Sequence, residues 1–214
     1  MHIRQVQLAT RAPRAVAAFY GQLGCPVSEE GGAVLVSAGR TTLVFAELDG
    51  MTGAHHLAFT VPTGTFDAAR SWVAERAEVL CAPDGRDEFE GPAGWNSRSV
   101  YFEGPDQQLL ELIERRDLPA EPHGGLPGTV SEVGVAVPDV LGVVDALGHH
   151  GVLPYGGPPT AGFAPVGDVH GLLVLVSPER RWFPTLDRVA STAPVVVDIG
   201  LGLAVEPAPG VRLR

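Results

Sequence analysis

The sequence predicts an α+β fold in which one small unit recurs along the chain, and three observations predict it. A strand-like stretch, an amphipathic helical stretch and a pair of short strands follow one another in the same order more than once. The restarts share a signature, "HHLAFTVP" at His55 and "SEVGVAVPD" at Ser131. Glycine at 27 and proline at 19 of 214 residues imply short elements joined by tight turns, which leaves little room for long helices.

In the first unit Ile3 to Ala9 alternates as a strand does. Pro13 then stands at a first helical position, before the amphipathic run "RAVAAFYGQLG" that Gly24 closes. Ala33 to Ala38 and Thr41 to Glu47 read as strands joined by "GR", a tight hairpin, with room for one more short strand. The second unit repeats this order. "HHLAFTVP" is its strand, and Phe66, Ala69, Trp72 and Val73 mark a helix at the 3.6 period. "SVYFEG" and "QQLLELIE" then flank a turn at "GPDQ". A third, shortened unit holds "SEVGVAVPD", the helix "VLGVVDALGHHG" and the strand "GLLVLVSP". Beyond it "APVVVDIG" begins a degenerate fourth copy, or supplies the third unit's missing strand. The expected division is residues 1–118 as a pair of units, 119–129 as linker and 130–214 as an incomplete second domain.

Composition narrows the function. With 45% hydrophobic and 19% charged residues the chain lies in the folded class. A formal net charge of −10 disfavours nucleic acid and anionic membranes and points to a small-molecule ligand or substrate. Cys25 and Cys81 have neither the number nor the spacing of a disulfide scaffold or zinc site, and read as buried thiols. The start "MHIRQVQLAT" has no signal-peptide pattern and no stretch suits a membrane span, so a cytoplasmic location is expected. Nucleotide loops, the Gly-x-Ser-x-Gly elbow and the His-Glu-x-x-His pattern do not occur.

"VQLAT", "AAFYGQLG", "HHLAFTVP" and "YFEGPDQQLLELI" together resemble the vicinal oxygen chelate superfamily, the glyoxalase, bleomycin-resistance and extradiol-dioxygenase group. The resemblance is strongest over residues 3–115, and departs from the pattern where Gln107 replaces a glycine after Asp106. It implies β-α-β-β-β units forming curved, cup-like mixed sheets, with metal ligands on the first and last strands of paired units. Carried onto this chain, those positions are Gln5, Val44, His56 and Glu111, so the implied metal ligands are Gln5, His56 and Glu111. The implied cofactor is a divalent metal such as zinc, nickel, manganese or iron. Val44 leaves the site without the acidic residue some glyoxalases place there, and the general base passes to Glu47, Tyr101 or a metal-bound hydroxide.

The residues agree on faces. His56, Ala58 and Thr60 share one side of their strand, opposite Leu57, Phe59 and Val61, and His55 points away from His56. Glu111 interrupts an otherwise apolar strand, where a carboxylate is costly unless paired, protonated or metal-bound. The loop "CAPDGRDEFEGPAGWNSRS" is long for this fold, so Trp95, Asn96, Arg98 and Tyr101 are the expected pocket residues. In the third unit the equivalent positions are Glu132 and Val174, which leaves Glu132 a lone ligand. His149 and His150 read as helix C-terminal residues, His170 as a turn residue, and "PERRWFPT" as an interface anchor or a pocket rim.

The resulting expectation is a glyoxalase-like, metal-dependent lyase or isomerase acting on a small oxygenated metabolite. A metal-free binding protein of the bleomycin-resistance kind and an extradiol-type dioxygenase are the alternatives. The resembled superfamily often dimerises, so a homodimer is one expected state, although three units can satisfy their own edges.

Overall fold

The computed structural model describes residues 1–119, 125–202 and 204–214. Its first unit runs β1 (Gln5–Thr10), α1 (Pro13–Gln22), β2 (Val27–Glu30), β3 (Ala33–Ala38) and β4 (Thr41–Glu47). Pro13 opens α1, where its missing N–H costs nothing. Gly24 stops it at φ +82°, and Val16 and Tyr20 form the buried face. Gly39, at φ +55°, makes the β3–β4 turn. The further short strand for which the sequence left room is β2.

The second unit contains β5 (His56–Val61), α2 (Phe66–Ala74), β6 (Val79–Leu80), β7 (Phe89–Glu90), β8 (Ser97–Glu103) and β9 (Leu109–Arg115). The third contains β10 (Val130–Ala136), α3 (Val140–Gly148), β11 (Phe163–Asp168) and β12 (Gly171–Val176). β13 (Val195–Asp198), β14 (Val205–Ala208) and β15 (Val211–Leu213) follow without a helix among the described residues.

These strands form two mixed sheets, in the orders β14-β15-β13-β1-β4-β3-β2 and β11-β12-β10-β5-β9-β8-β6, with β7 added alongside β8. In each, a unit's first strand runs parallel to its last strand and antiparallel to the first strand of a second unit: β1 with β4 and β13, β5 with β9 and β10. The pairing is therefore nested. The second unit shares its sheet with the third, and the first shares its sheet with the C-terminal strands.

This corrects the expectation that residues 1–118 form one paired cup, since both sheets draw strands from both sides of the expected linker. Residues 120–124 of that linker lie outside the described residues. β13 completes the first unit's sheet, not the third unit's. Alternation along a strand fixes which face is buried and leaves open which edge it pairs, so the sequence carried no signal for this choice.

Leu57, Phe59 and Val61 of β5 and Val6 and Leu8 of β1 belong to one core that includes the buried faces of all three described helices. Each such side chain contributes about 1.5–3 kcal/mol of apolar burial. The opposite face of the second sheet carries a separate apolar cluster with Leu109, Val174, Trp95 and Trp182. The β8–β9 turn holds Asp106 and Gln107 at φ +58° and +62°, the left-handed region the missing glycine would favour. Arg11 offsets that strain: its Nε donates to Asp106 Oδ1 at 2.6 Å and its backbone N–H to Oδ2 at 2.8 Å.

Candidate metal centre

His56, Glu111 and Glu132 converge on the cavity face of the second sheet. Ala58 pairs with Glu111 of β9 on one side and with Glu132 of β10 on the other. Its methyl group leaves space between the two carboxylates, and His56, two residues earlier on the same face, closes the group. His56 Nε2 lies 3.6 Å from Glu111 Oε2 and 3.9 Å from Glu132 Oε2. All three residues are buried, at 5%, 3% and 4% exposure.

One nitrogen and two carboxylate oxygens lie within 4.8 Å of one another, so the cluster can coordinate a divalent metal. Bonds of about 2.0–2.2 Å to such ligands place donor atoms about 3.4 Å apart, a short inward movement from the distances found. The imidazole is preset for the role. Its Nδ1 lies 3.2 Å from the Leu109 carbonyl, which takes the Nδ1–H and turns Nε2 toward the carboxylates.

The two carboxylates are electrostatically unequal. Burial and the neighbouring Glu132 charge push the Glu111 carboxyl up to about 7, against the pull of His56. Burial would raise Glu132 as well, but the Arg115 guanidinium and His56 outweigh it and hold Glu132 below its ordinary value. Burial disfavours the His56 imidazolium, yet Glu132 and Glu111 together raise its pKa. Arg115 Nη2 donates to Glu132 Oε1 at 2.5 Å, and no atom of Arg115 reaches solvent.

Above the cluster opens a cavity of about 590 Å³. His56, Glu111 and Glu132 form part of its lining, Leu109, Ile113 and Val174 add apolar wall, and Trp95, Tyr101, Trp182 and Phe183 supply aromatic surface. The Trp182 ring lies 5.1 Å from the His56 ring, and its Nε1 donates to the Ala54 carbonyl at 3.0 Å. An apolar chamber with a few convergent polar groups at its floor is the usual form of a small-molecule site.

No family model and no curated protein sequence matches the chain. Solved structures do. A Bacillus subtilis protein named only as a candidate dioxygenase superposes with a TM-score of 0.62 at 14% identity, over 92% of this chain and 70% of that one. A glyoxalase I point mutant from Zea mays superposes at 0.59 and 14% identity, over 92% of this chain and 74% of its own. A second maize glyoxalase I mutant gives 0.58 at 14% identity, with 92% and 75% covered.

The chain has the vicinal oxygen chelate fold.

Within that fold the structure brings together two of the three expected ligands, His56 and Glu111, and adds Glu132. Gln5 lies in the other sheet, where Arg214 Nη2 donates to its Oε1 at 2.6 Å. Val44 is in that sheet too, two strand positions from Gln5 through Gln7, its register partner. The correction follows from the nested pairing: Gln5 holds the first-strand position of a unit that does not share a sheet with β5.

Of the expected pocket residues, Trp95 and Tyr101 line the cavity. Arg98 does not, because alternation on β8 gives Ser97, Ser99 and Tyr101 the cavity face and turns Arg98 onto the Phe66 ring at 4.3 Å, beside Glu114 at 3.1 Å. Asn96 is exposed at φ +44°, and its Nδ2 donates to Asp117 Oδ1 at 2.6 Å. His55 is buried on the opposite side of the strand start, its Nε2 3.1 Å from the Ala9 carbonyl. His149 caps the end of α3, His150 is exposed just beyond it, and His170 sits in the β11–β12 turn. "PERRWFPT" is a pocket rim, contributing Arg180, Trp182 and Phe183.

Glu132 was visible in the sequence, since "SEVGVAVP" lies under "HHLAFTVP" with Glu132 beneath His56. It lacked a partner only because the second unit was paired with the first. Trp182 carried no comparable signal, whereas alternation along β9 already put Arg115 on the face of Glu111. No described helix is long and apolar enough to cross a membrane.

Proposed function

We propose that this chain is a divalent-metal-dependent enzyme of glyoxalase-like type, a lyase or isomerase acting on a small oxygenated metabolite in the cavity. The observation that carries the reading is the His56, Glu111 and Glu132 cluster at the floor of a largely apolar chamber. The solved glyoxalase structures contribute the fold alone. One imidazole and two carboxylates form a harder, more oxygen-rich donor set than the two-histidine, one-carboxylate set of iron oxygenases. Lewis-acid chemistry therefore suits this site better than oxygen activation.

A bound divalent ion would polarise vicinal substrate oxygens and acidify the carbon-bound proton next to them. The chain's own residues supply the rest. Without metal, burial and the Glu132 charge hold the Glu111 carboxyl at about 7; a bound cation would favour its carboxylate form, so Glu111 acts as a ligand and not as the base. Tyr101 is its register partner on β8. Burial and the charges of Glu111 and Glu132 push the Tyr101 hydroxyl well above its ordinary range, so it serves as a hydrogen-bond donor and not as a base. Glu47, the other base considered, is an exposed residue at the end of β4 in the other sheet. Trp95, Trp182 and Phe183 narrow the chamber and exclude water around the reacting atoms.

The test is plasma mass spectrometry of untagged protein, with His56→Ala as comparison. Near-stoichiometric zinc, nickel, manganese or iron that disappears in the variant supports the reading. Protein that carries no metal and takes up no added divalent ion would replace it with metal-free ligand binding.

A further inference from the structure

Arg115 is the largest fully buried side chain, at 0% exposure. One of its five N–H donors has a clear role, the 2.5 Å bond from Nη2 to Glu132 Oε1. Nε and Nη1 are buried with no hydrogen-bond partner among the described residues, and the Trp95 ring lies 5.6 Å from the guanidinium carbon. Stability does not account for this arrangement. A buried ion pair rarely outperforms apolar residues of similar volume, and unsatisfied guanidinium N–H groups make the balance worse.

The division of oxygens within Glu132 does account for it. Oε1 belongs to Arg115, whereas Oε2 faces His56 at 3.9 Å. Glu111 has no such partner: among the described residues no arginine or lysine forms an ion pair with it, and its Oε2 faces His56. One carboxylate of the cluster is thus tied to a charged donor, whereas the other faces His56 and is held otherwise by the neutral Ser99 and Tyr101 hydroxyls.

We propose that Arg115 is a positioning residue: it occupies Oε1 of Glu132 so that this carboxylate meets the cluster through Oε2 alone. The inference rests on the metal-dependent reading above. It adds that Glu132 is a one-oxygen ligand, that coordination positions are thereby left for two vicinal substrate oxygens, and that the Trp95 ring screens the guanidinium from them.

Cobalt(II) titration of the metal-free full-length chain tests this, with affinity taken from calorimetry and ligand number from the visible spectrum. Losing a residue that orients a ligand typically costs about 10–100-fold in affinity. Arg115→Met is expected to show that loss, together with a weaker, higher-coordinate cobalt spectrum as Oε1 becomes available. Arg115→Lys should recover part of the affinity. In a Glu132→Gln background Arg115→Met should change affinity little, because its target is already gone.

A folded Arg115→Met that binds cobalt with the wild-type affinity and spectrum overturns the inference, as does an equal loss in both backgrounds. If Arg115→Met does not fold, the Glu132→Gln background decides: with the carboxylate gone, a loss of cobalt affinity on adding Arg115→Met to Glu132→Gln overturns it as well. A wild-type chain that takes up no cobalt overturns the metal reading itself, an outcome distinct from a normal wild type with an indifferent variant.

Discussion

Val174 on β12 stands where Glu111 stands on β9: Glu111 pairs with Ala58, two residues after His56, and Val174 pairs with Gly134, two residues after Glu132. The two units sharing the sheet thus present His56 and Glu132 from their first strands, but only one donor from their last strands. The position that would complete a four-ligand set is closed by an isopropyl group. With a metal bound, this asymmetry would leave coordination sites open, a property of catalytic metal centres more than of structural ones.

Val174→Glu should fill that vacant position. Without metal, a third carboxylate buried at the floor costs about 2–4 kcal/mol. Saturating metal should return much of it, since a hundredfold excess over Kd stabilises by about 2.7 kcal/mol. Thermal denaturation with chelator and with added manganese or zinc checks this. A variant that loses stability and gains nothing from metal shows that position 174 does not face the ion.

Glu111 couples the cluster to pH. Its folded-state carboxyl sits at about 7, above the ordinary 4.5, so between those values the folded chain holds a proton the unfolded chain has lost. In the metal-free protein its contribution is therefore present below about pH 4.5 and is lost as pH rises through 7. Glu111→Gln should make the metal-free protein more stable above pH 7, by up to about 3 kcal/mol, and leave it little changed at pH 4.5. The same variant should weaken metal binding, because a neutral carboxamide replaces a charged ligand. Urea denaturation with chelator at both pH values reads the first effect, and an equal difference at the two would remove Glu111 as its source.

Gly134 owes its identity to the rings above it. A Cβ there would lie 2.6 Å from the Trp182 ring and 2.9 Å from His56 Cβ. Gly134→Ala should displace Trp182 or His56, cost about 1–3 kcal/mol and weaken metal binding. In a Trp182→Ala background the same change should cost much less. Additive losses would mean the two residues do not compete for the same space.

The unit pairing itself is testable through the two first-strand candidates. Gln5→Ala should leave metal affinity unchanged and cost at most about 1 kcal/mol through the lost Arg214 bond. Glu132→Ala should remove metal binding. The opposite ranking would return Gln5 to the centre.

The local sequence determined most of the elements and two of the three cluster residues. Period-2 alternation put His56 and Leu57 on opposite faces, and the carboxylate inside "LLELI" marked Glu111, because both signals reside within one strand. The repeated "HHLAFTVP" and "SEVGVAVP" even set Glu132 beneath His56. Tertiary structure alone decided which units share a sheet, and so replaced Gln5 with Glu132. It also decided that Trp182 returns across the chain to cover His56. The physical reason is that side-chain pattern specifies a strand's faces, while its pairing edges are backbone N–H and C=O groups that every residue but proline carries alike.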